Sequence, residues 1–181
     1  MILDADTIET IKALVGCEVG NLEPLKKIAI ESLDRAKVLV LFEDEIRGLG
    51  FKWDEYAEEI AEIVIRTWVF MAQSLGQLAA GSSPRQLRLY PAWRLKRSKT
   101  REIPRQDWYD RWVKAGEAVG WQGACASDFV ALKTSPIWQA LGDGAGGYRD
   151  TWGNPFPPFA IDSGMDWWRV SREECNVLGL V

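Results

Sequence analysis

Apolar positions recur at helical spacing through the first eighty residues, and then the period changes. Ile8, Ile11, Leu14 and Val15 fall three and four apart, and Asp6 followed by Glu9 predicts an N-cap with its partner three residues on. Gly20-Asn21 predicts the end of that helix and a restart, after which Leu22, Leu25, Ile28, Ala29, Leu33 and Ala36 share a face. The run from Val38 to Phe42 suits either a buried strand or a continuing helix. No turn residue precedes it, so helix is preferred. Gly48 and Gly50 mark a break. From Asp54 a further stripe of Tyr56, Ile60, Ile63, Val64, Met71, Leu75 and Leu78 runs to Gly81-Ser82-Ser83-Pro84. Glu55, Glu58, Glu59 and Glu62 occupy its first turns, where the helix dipole favours acids. Residues 1–84 thus read as an acidic arm of about three helices, with an apolar stripe left open to a partner or another copy.

Beyond Pro84, Leu87, Leu89, Trp93 and Leu95 alternate with Arg88, Tyr90, Arg94 and Lys96, which predicts a half-buried strand. Pro91 within it predicts an edge position. Asp107 is placed to cap a short helix carrying Trp108, Trp112 and Ala115, and Phe129 to Lys133 reads as a short strand. Ser135-Pro136 opens a short helix to Leu141, with Pro136 suited to the first helical position. Gly142 to Pro158 is a long loop rich in glycine and proline. Ser171 with Glu174 begins a last helical turn that Gly179 ends. The expected fold class is α+β: an N-terminal helical arm, then a small α+β domain over 85–181 with a short, mainly antiparallel sheet.

Composition sharpens this picture at three points. Hydrophobic residues make up 47% of the chain and charged residues 27%, the balance of a folded domain. Ten tryptophans are present, and Trp93, Trp108, Trp112, Trp121, Trp138, Trp152, Trp167 and Trp168 all lie in the second half, so the aromatic core or an aromatic contact surface belongs there. There is no histidine, which removes the usual general base, the usual metal ligand and every Ser-His or Cys-His couple. Cys17, Cys125 and Cys175 are odd in number and far apart. They fit no disulfide framework and no zinc site, and read as small buried hydrophobes. The acidic N-terminus has no leader pattern and the longest apolar run is too short for a span, so a cytoplasmic protein without a membrane role is expected.

Candidate chemistry is sparse. Gly142-Asp143-Gly144-Ala145-Gly146-Gly147 matches Gly-x-Gly-x-x-Gly. A dinucleotide site needs a strand before that string and a helix after it, and here a helix precedes and a loop follows. Asp143, Asp150 and Asp162 fit no ligand-loop spacing and read as turn residues. Ser163 lacks a Gly-x-Ser-x-Gly elbow and any histidine to activate it. Glu173 and Glu174 are adjacent, so a helix turns them apart. No catalytic residue, cofactor or metal is expected.

Charge is distributed unevenly. Residues 85–114 hold ten basic and three acidic side chains, a net of +7, whereas residues 1–84 hold eight and fifteen, a net of −7. The remainder, 115–181, holds four and eight, a net of −4. Arg88, Arg94, Lys96, Arg97, Lys99, Arg101 and Trp108 are the candidate contact residues for DNA or a partner. Basic side chains interleaved with aromatics hold phosphates and stack bases. The same stretch equally suits a solvated strand and loop whose acidic partner is the helical arm of this or a neighbouring chain. Any DNA binding on this reading is weak and sequence-independent.

Several motifs in the second half carry a family resemblance. They are Tyr90-Pro91-Ala92-Trp93, Ile103-Pro104-Arg105, Asp107-Trp108, Arg111-Trp112, Val130-Ala131-Leu132-Lys133 and Ser135-Pro136-Ile137-Trp138, followed by Phe156-Pro157-Pro158-Phe159, Ser163-Gly164-Met165, Ser171-Arg172-Glu173-Glu174 and Leu178-Gly179-Leu180. Over this half the chain resembles the phage Mu F-like minor head proteins, also called head morphogenesis proteins. Pro157, Pro158 and Gly164 are similar to that family's C-terminal proline–glycine turn, and a structural role is expected of them, packed against Trp167 or Trp168. Many members carry histidine and Cys-x-Cys at that turn. This chain has neither, so no metal or redox role carries over. The resemblance implies a non-enzymatic virion component, in the host cytoplasm during assembly and then in the virion. It would act with portal or capsid proteins in several copies during head assembly and DNA packaging or ejection. Two other readings stand beside it: a nucleic-acid-binding module using 85–114, and a small effector enzyme of ADP-ribosyltransferase type, since similar small α+β domains host that chemistry.

Overall fold

A computed structural model of the protein describes residues 5–16, 22–31, 35–48, 55–98, 106–120 and 128–181. The chain divides into two compact units, Met1–Ala72 and Gln73–Val181. The Gly81-to-Pro84 break lies inside the second of these.

The first unit is helical among its described residues. It comprises α1 (Ala5–Val15), α2 (Leu22–Glu31), α3 (Arg35–Gly48) and the N-terminal two thirds of α4 (Glu55–Gly81). The apolar pattern from Leu22 to Phe42 is therefore shared between two helices, with Val38 to Phe42 inside α3. Leu33, the Gly20-Asn21 break and the start expected at Asp54 lie outside the described residues. Asp6 sits within the first turn of α1 and not before it, so it does not act as the N-cap expected of it. Ile11, Leu14, Val15, Val38, Phe42, Ala61, Val64, Ile65 and Trp68 are buried. Trp68 joins three helices: its ring lies 5.9 Å from that of Phe42, and its indole N–H donates to the Val15 carbonyl at 3.0 Å. The buried Thr67 hydroxyl is satisfied locally by the Ile63 carbonyl, 2.7 Å away. The stripe expected to stay open is thus largely filled, since Ile63 and Val64 are core. Leu75, 48% exposed, keeps its apolar side in solvent.

The second unit is α+β. A three-stranded antiparallel sheet is ordered β2-β1-β3, from β1 (Ala92–Arg97), β2 (Val130–Leu132) and β3 (Met165–Val170). Four short helices accompany it: α5 (Pro84–Leu89), α6 (Trp108–Ala118), α7 (Ile137–Gly142) and α8 (Arg172–Val177). Two features correct the strand expected over 87–96. The Ser83 hydroxyl accepts the Gln86 amide and Pro84 stands at the first helical position, so 84–89 winds into α5 before the strand begins. β1 is also the central strand and not an edge. Pro91 lies just before it, where no ladder amide is needed, and its carbonyl accepts the Lys133 amide at 2.9 Å.

Both faces of the sheet are covered at least in part. On one, Trp93 and Leu95 of β1, Ala131 of β2, and Met165 and Trp167 of β3 meet Trp108, Trp112 and Ala115 of α6, Ile137, Trp138 and Leu141 of α7, and Phe159 of the long loop. Trp93 stacks on Trp167 at 5.0 Å. Trp167 meets Trp138 edge-on at 5.6 Å, and Trp138 meets Trp112 at 5.5 Å. Aromatic pairs in this range add roughly 0.5–1.5 kcal/mol each beyond their buried area. On the other face a smaller cluster of Ala92, Val130, Val170 and Cys175 is covered by α8, with Leu178 and Leu180 against it.

Candidate functional site

The second sheet face is only half covered, and strand alternation decides what remains. Arg94 and Lys96 of β1 pair with Trp168 and Asp166 of β3, and these four point away from the tryptophan core. Trp168 is 51% exposed, and the Lys96 ammonium lies 5.1 Å from its ring centroid. Arg94 is tethered to Glu174 of α8 at 2.8 Å, and the Ser171 hydroxyl that caps α8 accepts the Glu174 amide. Asp166 accepts the Trp167 amide at 2.7 Å, and burial pushes its carboxyl above the usual carboxylate range. Among the described residues this face presents the Lys96 ammonium against the exposed Trp168 ring, the Arg94 guanidinium tethered to Glu174, and Asp166 opposite Lys96.

The seven residues expected to make contacts separate here. Arg94 and Lys96 share the open face. Arg97 alternates onto the packed side and is half-buried, and Arg88 is exposed at the end of α5. Lys99 and Arg101, with Ile103-Pro104-Arg105, lie outside the described residues. Trp108 corrects the expectation: it is 4% exposed inside the core and has no face to offer a base. The exposed tryptophan ring on this face is Trp168, on a strand over 165–170 that the sequence pattern did not predict.

A second constellation holds the long loop. Arg111 of α6 is buried, with its side chain 5% exposed. Its Nε donates to Asp107 at 2.7 Å, and its Nη2 donates to both Asp150 oxygens at 2.8 and 3.1 Å. The guanidinium lies 3.9 Å from the Tyr148 ring centroid and 5.4 Å from that of Trp108. Asp107 therefore does not cap α6 with its side chain; its carboxylate serves Arg111. Such a charge is tolerable in a core because two carboxylates and two rings surround it. The loop it anchors is packed backbone to backbone. A Cβ on Gly142 would collide with the Asn154 carbonyl oxygen, so this first glycine of the string answers a close chain approach. Asp143 accepts Gln139 on the same loop. Pro157-Pro158 is a cis bond, and Gly164 has φ +64. Phe159, which follows the prolines, packs 6.1 Å from Trp167. The turn is therefore set against Trp167, while Trp168 faces solvent.

Groups with reactive potential are engaged elsewhere. The Tyr148 phenol donates to Asp110, and that hydrogen bond, with burial and the Asp110 charge, pushes its pKa up to about 12. Burial, then the Arg169 charge, lowers the Lys133 ammonium pKa. Its Nζ donates to the Gly81 carbonyl at 3.0 Å and lies 4.2 Å above the Trp93 ring, so it closes the C-terminus of α4. Ser163 is buried and accepts the Met165 amide at 3.3 Å. Among the described residues no three His, Cys, Asp or Glu side chains gather to hold a metal ion, and no helix is long and apolar enough to cross a membrane. Nothing in sequence spacing pointed to Lys133 or to the Arg111–Asp150 pair, whose partners lie 52 and 39 positions away. The chain matches no protein-family model, no curated protein and no solved structure.

Proposed function

We propose that the chain is a structural component of a bacteriophage or prophage head, a minor head protein of the Mu F-like kind acting beside portal or capsid proteins during assembly and DNA packaging. One observation carries the reading. The motif residues behind the resemblance, scattered from Trp93 to Met165, converge on one core: Trp93, Trp108, Trp112, Ala131, Ile137, Trp138, Phe159 and Met165 pack together. Arg111 and Asp107 of the same motifs tie the long loop to α6. A shared signature made of core and anchoring positions supports a shared fold used for docking. In the same unit Arg111 engages the Asp107 and Asp150 carboxylates, the Tyr148 phenol engages that of Asp110, and the Ser163 hydroxyl accepts the Met165 amide.

The test is direct. Particles from cells carrying the chain are purified by density gradient, and the protein is quantified by mass spectrometry against the portal. The expected result is co-purification in several copies per particle, with empty or aberrant heads when the chain is deleted. Its absence from particles, together with unchanged infectious titre on deletion, would overturn the assignment.

A further inference from the structure

Four exposed arginines of the second unit come together from three elements. Arg85 and Arg88 lie one turn apart on α5. Arg169, near the end of β3, reaches Gln86 of that helix at 3.5 Å, and its guanidinium lies 5.3 Å from the Tyr90 ring centroid. Arg172, at the start of α8, donates from Nε to the Arg88 carbonyl at 2.7 Å. Lys133 stands beside them: burial, followed by the Arg169 charge, holds its ammonium pKa below the usual range. None of the five pairs with a carboxylate among the described residues. The sequence explains part of this, since no acid occurs between Glu62 and Glu102, a span that holds all of α5 and β1. On α8, Glu174 is neutralised by Arg94, which leaves Glu173 against the five cations. The sheet face around Trp168 has no such excess, because Arg94 and Lys96 there meet Glu174 and Asp166.

We propose that the cluster of Arg85, Arg88, Arg169 and Arg172 binds the phosphate backbone of a nucleic-acid duplex. A guanidinium fork matches two phosphate oxygens at once. Arg169 and Arg172 are already held by Gln86, Tyr90 and the Arg88 carbonyl, so little side-chain freedom is lost when they engage. At 1.5 Å per residue α5 is about 9 Å long, the axial rise of two or three phosphates of one strand at about 3.4 Å each. The centre of a protein contact is poor in charge and built on large rings. Here the exposed apolar side chain is Leu89, and the half-buried Tyr90 ring is taken by Arg169. Bases have no platform to stack on, so the contact is to backbone and independent of sequence. The chain as a whole carries −4, so attraction is confined to this patch. Such a contact is independent of the head-protein reading, which stands or falls by particle composition.

The full-length chain is titrated into a fluorescein-labelled DNA duplex of mixed sequence, and anisotropy is followed from about 0.05 M to about 0.2 M salt. The log–log salt slope should be roughly −3 to −4, near −0.9 for each of about four phosphates neutralised. Arg85→Gln together with Arg88→Gln should flatten that slope by about 2 and weaken low-salt binding about tenfold or more. Arg85→Lys with Arg88→Lys should keep the slope, because the charge is kept. Lys96→Gln, on the opposite sheet face, should change neither slope nor affinity. Thermal unfolding of each variant is compared with the parent. Arg169→Gln, on a separate element, supplies the same test should α5 not tolerate its changes. No binding at about 0.05 M salt, a slope near zero, or binding indifferent to the arginine variants overturns the proposal. Loss of binding on Lys96→Gln overturns it too, by moving the contact to the Trp168 face. Displacement of the duplex by poly-glutamate at equal or lower charge concentration gives the patch to an acidic protein partner and overturns it equally.

Discussion

At the scale of single residues, neighbouring side chains of one type take opposite roles. Trp167 and Trp168 are consecutive on β3, yet one is 5% exposed among stacked rings and the other 51% exposed beside Lys96. Trp167→Ala removes a buried aromatic and is expected to cost about 3–5 kcal/mol, read as a fall in the denaturant midpoint. Trp168→Ala should stay within about 0.5 kcal/mol of the parent. Equal losses would mean that the strand register is misassigned. Tyr148 gives a titration signature. Its folded pKa lies at about 12 against an ordinary 10.0, so the folded state holds the phenolic proton more tightly than the unfolded one. That contribution to stability is complete below pH 10 and is lost as pH rises through about 12. Absorbance at 295 nm should show one phenol ionising late, and Tyr148→Phe should delete that phase. Asp110→Asn should return the phase towards the ordinary value, because the carboxylate that holds the proton is gone.

At the scale of elements, the loop between α7 and β3 behaves as a part of the core that lacks regular structure. Arg111 reaches it from α6, and the Thr151–Ala160 bridge closes its base. Removing the guanidinium takes from Asp107 and Asp150 the cation they share. Arg111→Ala is therefore expected to cost about 3–5 kcal/mol. Arg111→Lys should rescue little, because one ammonium cannot reproduce the fork that engages both carboxylates. Chemical denaturation of the two variants measures this, and full recovery by lysine would reduce the cluster to a simple charge contact. Gly164 controls the other end, since its φ of +64 is sterically poor for a branched side chain. Gly164→Val should lower the melting temperature by several degrees, at roughly 2–4 °C per kcal/mol for a chain of this length. The helix boundaries show similar local control: Ser83 and Ser171 each cap a helix by accepting the amide three residues on.

At the scale of the whole molecule, the two units have separate cores, one built around Trp68 and one around Trp138. Trp68→Ala should reduce amide-exchange protection in 5–72, and Trp138→Ala in 84–181, each with little effect on the other unit. Hydrogen-exchange mass spectrometry reads both. Loss of protection throughout the chain from either change would show one cooperative core in place of two.

The sequence by itself determined the elements whose signals are local. Helical spacing in 55–81, the Ser-x-x-Glu start at 171–174 and the short strand near 130–132 all depend on residues within one or two turns of each other. It also determined the fold class, because a change of hydrophobic period from 3.6 to 2 separates helices from a sheet wherever the chain is placed. Tertiary structure alone decided which strand is central, since that depends on β2 and β3 arriving from positions some 40 and 75 residues away to flank β1. Tertiary structure also decided which aromatic is available to a partner. Trp108 sits in the basic stretch of the sequence and Trp168 does not, yet Trp108 is enclosed by α7, the loop and Arg111, while Trp168 lies beyond the cover that α8 provides. Burial is a property of what comes to lie over a side chain, and that is set by contacts no local pattern contains.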